Sequence, residues 1–277
     1  MTESSVDDQD KEGHHEPPEE PEPPRVRTSN DRKTVLPADA DLEQLVHESS
    51  PEILIAAASD PRLTEDLALA LLKHRDLPRE ALEALTKSRQ LSQLRKVRMA
   101  VVIHPRTPRH VSVPIIRHLY SFELMQVALL AGVSPEVKRA GEDVLISKLA
   151  NISSGERFTL AKQSSGRVAA ALLLDKEERI MLAALNNPQM TELLVVKALR
   201  VETGTERLAP TVSRHQKWSF RNDVKAALLG NKNTPAARMI QLAAELPVSL
   251  IKDVLRNGRL SPQAKNSLLA VLEKRGG

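Results

Sequence analysis

The chain has 277 residues, a formal charge of +4 and no cysteine, which removes disulfides, thiolate metal sites, iron–sulfur ligation and cysteine nucleophiles together. Only Tyr120, Phe122, Phe158, Trp218 and Phe220 are aromatic, so Leu, Val, Ile and Ala must fill the core, and these make poor walls for a pocket that grips a ring-shaped cofactor. No apolar run approaches the ~18 residues of a membrane span, and the first residues lead into acids rather than into a basic then apolar leader, so the expected compartment is the cytoplasm.

Residues 1–36 are polar, charged and proline-rich, as in Glu16-Pro17-Pro18-Glu19-Glu20-Pro21-Glu22-Pro23-Pro24. Such a segment cannot bury enough apolar surface to offset its ordering entropy, which predicts a disordered acidic tail. Residues 1–24 hold nine acids against Lys11, or −8, so the remainder carries +12. The adjacent pair His14-His15 reads as part of a solvated tail rather than as a chelate.

From Pro37 to Gly277 the pattern changes to one domain of about seventeen short amphipathic helices, each near the ~11-residue mean of globular helices. Their starts carry the information. A Ser or Thr followed by Pro or an acid precedes apolar-periodic segments at Thr64-Glu65, Thr107-Pro108, Ser134-Pro135, Thr191-Glu192, Thr234-Pro235 and Ser261-Pro262. A hydroxyl at the N-cap accepts from an orphan backbone N–H, proline at the next position lacks only an N–H that would be unsatisfied anyway, and acids favour the positive end of the helix dipole. Ser153 with Glu156 forms a capping box, Ser164-Ser165-Gly166-Arg167 reads as a cap, and Ser219 falls in the same series. In 108–119, Val111, Ile115 and Leu119 predict a buried stripe, with Pro114 expected to kink or split the helix. Arg167 to Leu174 is apolar after its first residue and predicts a helix covered on both sides.

Thr64 to Thr107 and Thr191 to Thr234 are both steps of 43 residues, the length of a two- or three-helix repeat. The turns before them agree: Ala58-Ser59-Asp60-Pro61-Arg62-Leu63-Thr64, Ile103-His104-Pro105-Arg106-Thr107 and Leu185-Asn186-Asn187-Pro188-Gln189-Met190-Thr191, with weaker copies at Gly230-Asn231-Lys232-Asn233-Thr234 and before Ser261. On these turns, residues 50–275 resemble the bacterial α-helical repeat families, the HEAT-like repeats and the leucine-rich repeat variant. The resemblance implies an all-α solenoid, a superhelix that presents a surface to macromolecules. Some leucine-rich repeat variant proteins carry a cysteine-ligated iron–sulfur module, which this chain cannot form.

Residues 84–122 contain no acid but include Lys87, Arg89, Arg95, Lys96, Arg98, Arg106, Arg109 and Arg117 with His104, His110 and His118. One reading is an electropositive face for phosphates or for an acidic protein, with Arg95, Arg98, Arg106, Arg109, His110 and Arg117 as its candidate residues. The other is a solvated face balanced by Glu80, Glu83 or Glu123 from neighbouring units. A second candidate is Arg214, Lys217, Trp218 and Arg221, because Trp and Arg favour interface hot spots; Trp218 equally fits an apolar filler before a capping hydroxyl, as Leu63 and Met190 do. No histidine pair has ligand spacing, and neither a nucleophile elbow nor a Walker-type loop is present. No catalytic site, cofactor or metal is expected. The leading expectation is a non-enzymatic scaffold for a protein partner, followed by a nucleic-acid binder acting through the basic stretch, and then by an enzyme of the helical-repeat DNA glycosylase type.

Overall fold

The computed structural model describes residues 36–37, 40–257, 260 and 262–276. The expected tail, up to Val35, and the expected cap Ser261 lie outside the described residues. Seventeen α-helices and a few 3-10 turns make up the described part, which holds no strand. In order they are α1 (Leu42–Leu45), α2 (Pro51–Ala58), α3 (Glu65–Leu71), α4 (Arg79–Lys87), α5 (Arg95–Ile103), α6 (Arg109–Ile116), α7 (Ser121–Leu129), α8 (Pro135–Lys148), α9 (Ser154–Gln163), α10 (Gly166–Ala171), α11 (Glu178–Leu185), α12 (Glu192–Leu199), α13 (Leu208–Arg214), α14 (Asn222–Leu229), α15 (Ala236–Glu245), α16 (Val248–Asn257) and α17 (Pro262–Gly276). Every substantial helix–helix contact joins neighbours one or two apart in this order.

Hydroxyl caps start several helices, as the sequence predicts. Thr64, Ser134, Ser153, Ser165 and Thr191 each accept from the backbone N–H three residues on, and Glu156 closes its capping box. Thr107 and Thr234 are corrections. Their hydroxyls turn back and donate to Val101 O at 2.5 Å and Leu228 O at 2.6 Å. The following prolines are extended at the cap position, which sets each threonine one residue too early to cap. Its donor instead goes to a carbonyl near the C-terminus of the preceding helix, where intrahelical partners run out. Ser219 is buried without a capping bond, and α14 starts three residues later behind Arg221. Pro114 does not split α6, which ends two residues beyond it, and Ile116 rather than Ile115 is fully buried there. Past Ala171, α10 tightens into a 3-10 turn, Leu172–Leu174.

Orphan carbonyls at the helix C-termini are satisfied in a recurring way. A polar side chain at or beyond the end of one helix donates to carbonyls at the end of the helix two before it. His74 reaches Val46 O, His104 reaches His74 O, and Lys148 reaches Arg117 O and Leu119 O. Asn187 donates to Ala161 O and Ser164 O, Trp218 to Leu185 O, Asn231 to Leu199 O, and Arg275 to Ala243 O and Leu246 O. These bonds span 23 to 33 residues. Packing therefore steps by two helices, whereas the 43-residue echo in the sequence spans three.

A longer recurrence contains both. Helices α2, α3, α5, α6, α7 and α8 begin at residues 51, 65, 95, 109, 121 and 135, and α11, α12, α14, α15, α16 and α17 begin 127 residues later in each case, at 178, 192, 222, 236, 248 and 262. Side-chain roles recur at the same offset. Asp60 and Asn187 accept from the N–H two residues on, as do His104 and Asn231; Thr64 and Thr191 cap; Thr107 and Thr234 turn back; Lys148 and Arg275 tie equivalent ends. Helices α9 and α10 lie between the two halves.

Leu, Val, Ile and Ala fill the interior in two clusters that meet at α5 and α6. One runs from Leu42 to Val111 and the other from Val102 to Leu268, with half-buried Ile115 packed against both. Fully buried side chains such as Leu71, Leu82, Leu124, Leu160 and Ile180 each contribute about 1.5–3 kcal/mol by leaving water.

Candidate functional site

The acid-free stretch spans the end of α4 to the start of α7, at the seam between the two clusters. Its bases meet acids from neighbouring helices. Arg95 makes a two-nitrogen contact with Glu123 Oε1 at 2.8 and 3.0 Å, Arg106 lies 3.7 Å from Asp76, Arg109 lies 3.8 Å from Glu136, and His110 Nε2 lies 3.1 Å from Glu83. Arg98 is half-buried: one terminal nitrogen donates to Gln93 O, and its Nε is enclosed without an acceptor. Arg117 is exposed and makes no ion pair among the described residues. Glu83 and Glu123, acids that the balanced reading named, are thus at work here. Arg98 is partly withdrawn from solvent, and Arg117 is the one member of the six that stands exposed without an acid.

Trp218 takes the filler place rather than the hot-spot one. It is 2% exposed, and its Nε1 donates to Leu185 O at 2.8 Å. The ring fills the core beyond α13 while Lys217 lies 4.3 Å over it. Arg214 and Arg221 flank a buried residue, so no aromatic anchor faces solvent at Trp218; its neighbour Phe220 is exposed.

The sequence reading missed a different surface. Tyr120, Phe122 and Phe158 are exposed, as are Leu129 and Leu182. On α7, Phe122, Met125 and Leu129 follow i, i+3, i+7 on the face opposite buried Leu124, Val127 and Ala128. Phe158 stands on the outer face of α9, and Arg179 and Leu182 on that of α11. Contacts run from α5 to α7, from α7 to α9 and from α9 to α11. The Arg95 guanidinium lies 4.4 Å over the Tyr120 ring, and that of Arg179 lies 5.9 Å from the Phe158 ring. Beneath the second pair, Ser154 donates to Glu177 at 2.8 Å, while Arg157 binds Asp175 at 2.7 Å and Glu177 at 3.1 Å. Hydrogen bonds from Ser154 and then Arg179 hold the Glu177 carboxyl below its usual range. This network fixes the starts of α9 and α11 side by side.

The recurrence separates architecture from use. The places of Phe122, Met125 and Leu129 on α7 are taken on α16 by Ser249, Lys252 and Arg256, all exposed, and the place of Tyr120 by Pro247. Helix α16 packs on α14 and α17 as α7 packs on α5 and α8, without a counterpart of α9 among the described residues, and it carries a polar outer face; packing against those two neighbours therefore does not require the apolar one. Scarcity itself was the available signal: four of five aromatics fall at exposed places, where a chain short of aromatics gains no packing from them.

Elsewhere, a cavity of about 360 Å³ opens beside Leu199, Thr205, Gly230 and Asn231. Its buried polar groups are already engaged, Asn231 with Leu199 O and Thr205 with Asn233. Among the described residues no group of three or more His, Asp or Glu is placed to hold a metal ion, and no helix is long and apolar enough to cross a membrane. Comparison with protein-family models, curated proteins and solved structures returned no match.

Proposed function

We propose that the chain is a cytoplasmic, non-enzymatic scaffold, an α-solenoid of HEAT-like units that binds another protein along the outer face of α5, α7, α9 and α11. The observation that carries this reading is the apolar face of α7 set against the polar face of α16 at equivalent places. An exposed cluster of aromatic and aliphatic side chains costs solubility, and patches of this kind mark interaction sites. Aromatics beside arginines are the side chains that dominate binding energy in protein interfaces. The solenoid reading draws support from substantial contacts that join only first and second neighbours and from the side-chain ladder that ties seven helix ends to the ones two before them.

Binding of a polyanion through Arg95, Arg98, Arg106, Arg109, His110 and Arg117 draws less support, because four of these side chains lie against carboxylates. Capture from a native lysate, with and without nuclease, tests the choice. A protein retained at constant yield after nuclease treatment is the expected result. Retention that disappears with the nucleic acid would replace the scaffold reading by the polyanion one.

A further inference from the structure

We infer that the occupant of this face is an acidic amphipathic helix of a partner protein, laid across α7, α9 and α11. The inference rests on the scaffold reading and narrows it to one partner chemistry.

The first argument is spacing. Ser154 at the start of α9 bonds Glu177 and Arg179 at the start of α11, and Asn187 beyond the end of α11 bonds Ala161 O and Ser164 O at the end of α9. Starts lie beside starts and ends beside ends, so the two helices run parallel. One turn in from that start, Phe158 stands level with Leu182. Packed helices lie about 8–10 Å apart, and an α-helix advances about 10.5 Å in seven residues. A crossing helix with an apolar side chain every seven residues therefore meets one helix of this face after another: Phe122 and Met125 on α7, Phe158 on α9, Leu182 on α11. This is the helix-in-groove mode, with anchors at helical spacing.

The second argument is charge. Along this face the cations stand outermost and their acids lie beneath them. The Arg95 side chain is 62% exposed against 14% for Glu123, and Arg179 is 62% exposed against 36% for Glu177. Lys96 and Lys162 are also exposed on the same helices, and Glu178 is the exposed acid at the edge of α11. Each arginine is already seated by its ring and its internal acid, so little side-chain entropy remains to be lost, and its outer N–H groups can receive a partner's carboxylate. A basic amphipathic helix would meet those same cations and be repelled.

The third argument is the control within the chain. Ser249, Lys252 and Arg256 on α16 show which residues the equivalent helix carries where, among the described residues, no helix corresponding to α9 lies beside it.

The test uses the full chain and a fluorescently labelled 21-residue helical peptide (length chosen for three heptads) with leucines at heptad spacing and glutamates on its outer positions. Anisotropy should report saturable binding, at least tenfold weaker for the peptide with lysines in place of the glutamates. Carrying the α16 residues across, Phe122→Ser with Met125→Lys and Leu129→Arg, should weaken the acidic peptide at least tenfold and leave the melting curve near wild type. Phe158→Ala alone should weaken it severalfold, which keeps the inference testable if the triple variant folds poorly. Equal binding of a sequence-scrambled peptide, or full binding by both variants, would overturn it. So would a concentration-dependent dimer in sedimentation that the triple variant abolishes, since the face would then belong to a second copy. A lysate protein held equally by wild type and triple variant would sink this inference and move the scaffold's binding surface off α7, while leaving a protein partner in place.

Discussion

Residues 51–148 and 178–275 place six of their seven helices at the same intervals and use equivalent side chains for the same structural duties, yet they solve one duty with different chemistry. At the turn after α5 the first half uses His104, whose Nε2 faces His74 O at 2.9 Å while Nδ1 accepts from the Arg106 N–H. At the equivalent turn after α14 the second half uses Asn231, which donates to Leu199 O at 2.6 Å and accepts from the Asn233 N–H. Either side chain supplies one donor and one acceptor in the required directions. The difference is that imidazole titrates and an amide does not. A second contrast lies beside it: Lys225 is buried and paired with Glu245 at 2.6 Å, whereas Arg98, its equivalent, finds His118 at the place of that glutamate and keeps an enclosed Nε without an acceptor. Where duties are shared, differences in buried residues show what stability tolerates, and differences in exposed residues show what use demands.

The comparison breaks most visibly if the turn side chains are removed. Asn231→Ala, or Asn187→Ala, leaves buried carbonyls and an N–H without partners and should cost about 3 kcal/mol in chemical denaturation, at roughly 1–3 kcal/mol per unsatisfied group. His104→Asn keeps one donor and one acceptor and should cost far less. Comparable losses from His104→Asn and Asn231→Ala would show that the two turns are not equivalent.

Intermediate effects are expected at the caps and at the lone arginine. Thr64→Ala and Thr191→Ala should each cost about 1 kcal/mol, the usual loss for an N-cap, and by about the same amount because both cap an equivalent helix. Wild-type melting curves for both would mean that these turns do not depend on their caps. His118→Glu offers Arg98 the acid that Lys225 has, and should raise stability by about 1 kcal/mol, the net worth of a typical hydrogen bond; for a domain of this size that is roughly 2–4 °C in Tm. An unchanged or lower Tm would separate the two settings.

Acid should tell the turns apart more gently. Burial, helped by Arg106, holds the His104 imidazole below its usual value against the opposing hydrogen bond to His74. The unfolded chain therefore takes up this proton first. The stability contributed by neutral His104 is complete above the unfolded value of about 6.5 and is lost as pH falls through the lower folded value. His104→Asn should flatten the decline of the denaturant midpoint between about pH 7 and pH 5, measured against wild type. Part of the slope should persist, because burial and Lys217 lower the His215 imidazole in the same sense. An unchanged slope in His104→Asn would rule out protonation at this turn.

Much of the fold was legible because helix starts are local. A hydroxyl, an acid and an apolar period lie within a few residues of each other, and so the all-helical class, the caps at Thr64, Ser134 and Thr191 and the capping box at Ser153 could be read directly. Thr107 and Thr234 could not, because the choice between capping forward and donating backward turns on the backbone of the next proline. The 127-residue recurrence is visible in the residues once the helix starts are known, with Asp60 matching Asn187 and Ser134 matching Ser261. The shorter 43-residue echo inside it obscured it. The binding face was the least legible. Local charge counts name Glu123 as a balancing acid but cannot choose which base it reaches from two helices away, and hydropathy cannot tell exposed Phe122 from buried Leu124 until the outer face of α7 is known.

The smallest expected effect concerns net charge, and it bears on the polyanion reading. Over equal lengths, residues 50–149 carry 15 bases against 11 acids, or +4, and residues 177–276 carry 16 against 9, or +7. The acid-free stretch thus sits in the less basic half. If Arg95, Arg98, Arg109 and Arg117 together neutralised four phosphates, log K against log salt would fall with a slope near −0.9 × 4, and raising salt from ~50 to ~200 mM would weaken binding about a hundredfold. The structure leaves Arg95 and Arg109 beside carboxylates and Arg98 half-buried, so those four should behave as ordinary surface charge. Glutamates at these positions and at Lys252, Arg256, Lys265 and Lys274 should reduce heparin retention by similar small amounts, with helical circular dichroism intact in both. A hundredfold salt effect that only the first set removes would restore a phosphate-binding face at α5 and α6 and shift the partner from protein to nucleic acid. Equal losses would confine the function of the first half to its apolar face, where α7 departs from α16.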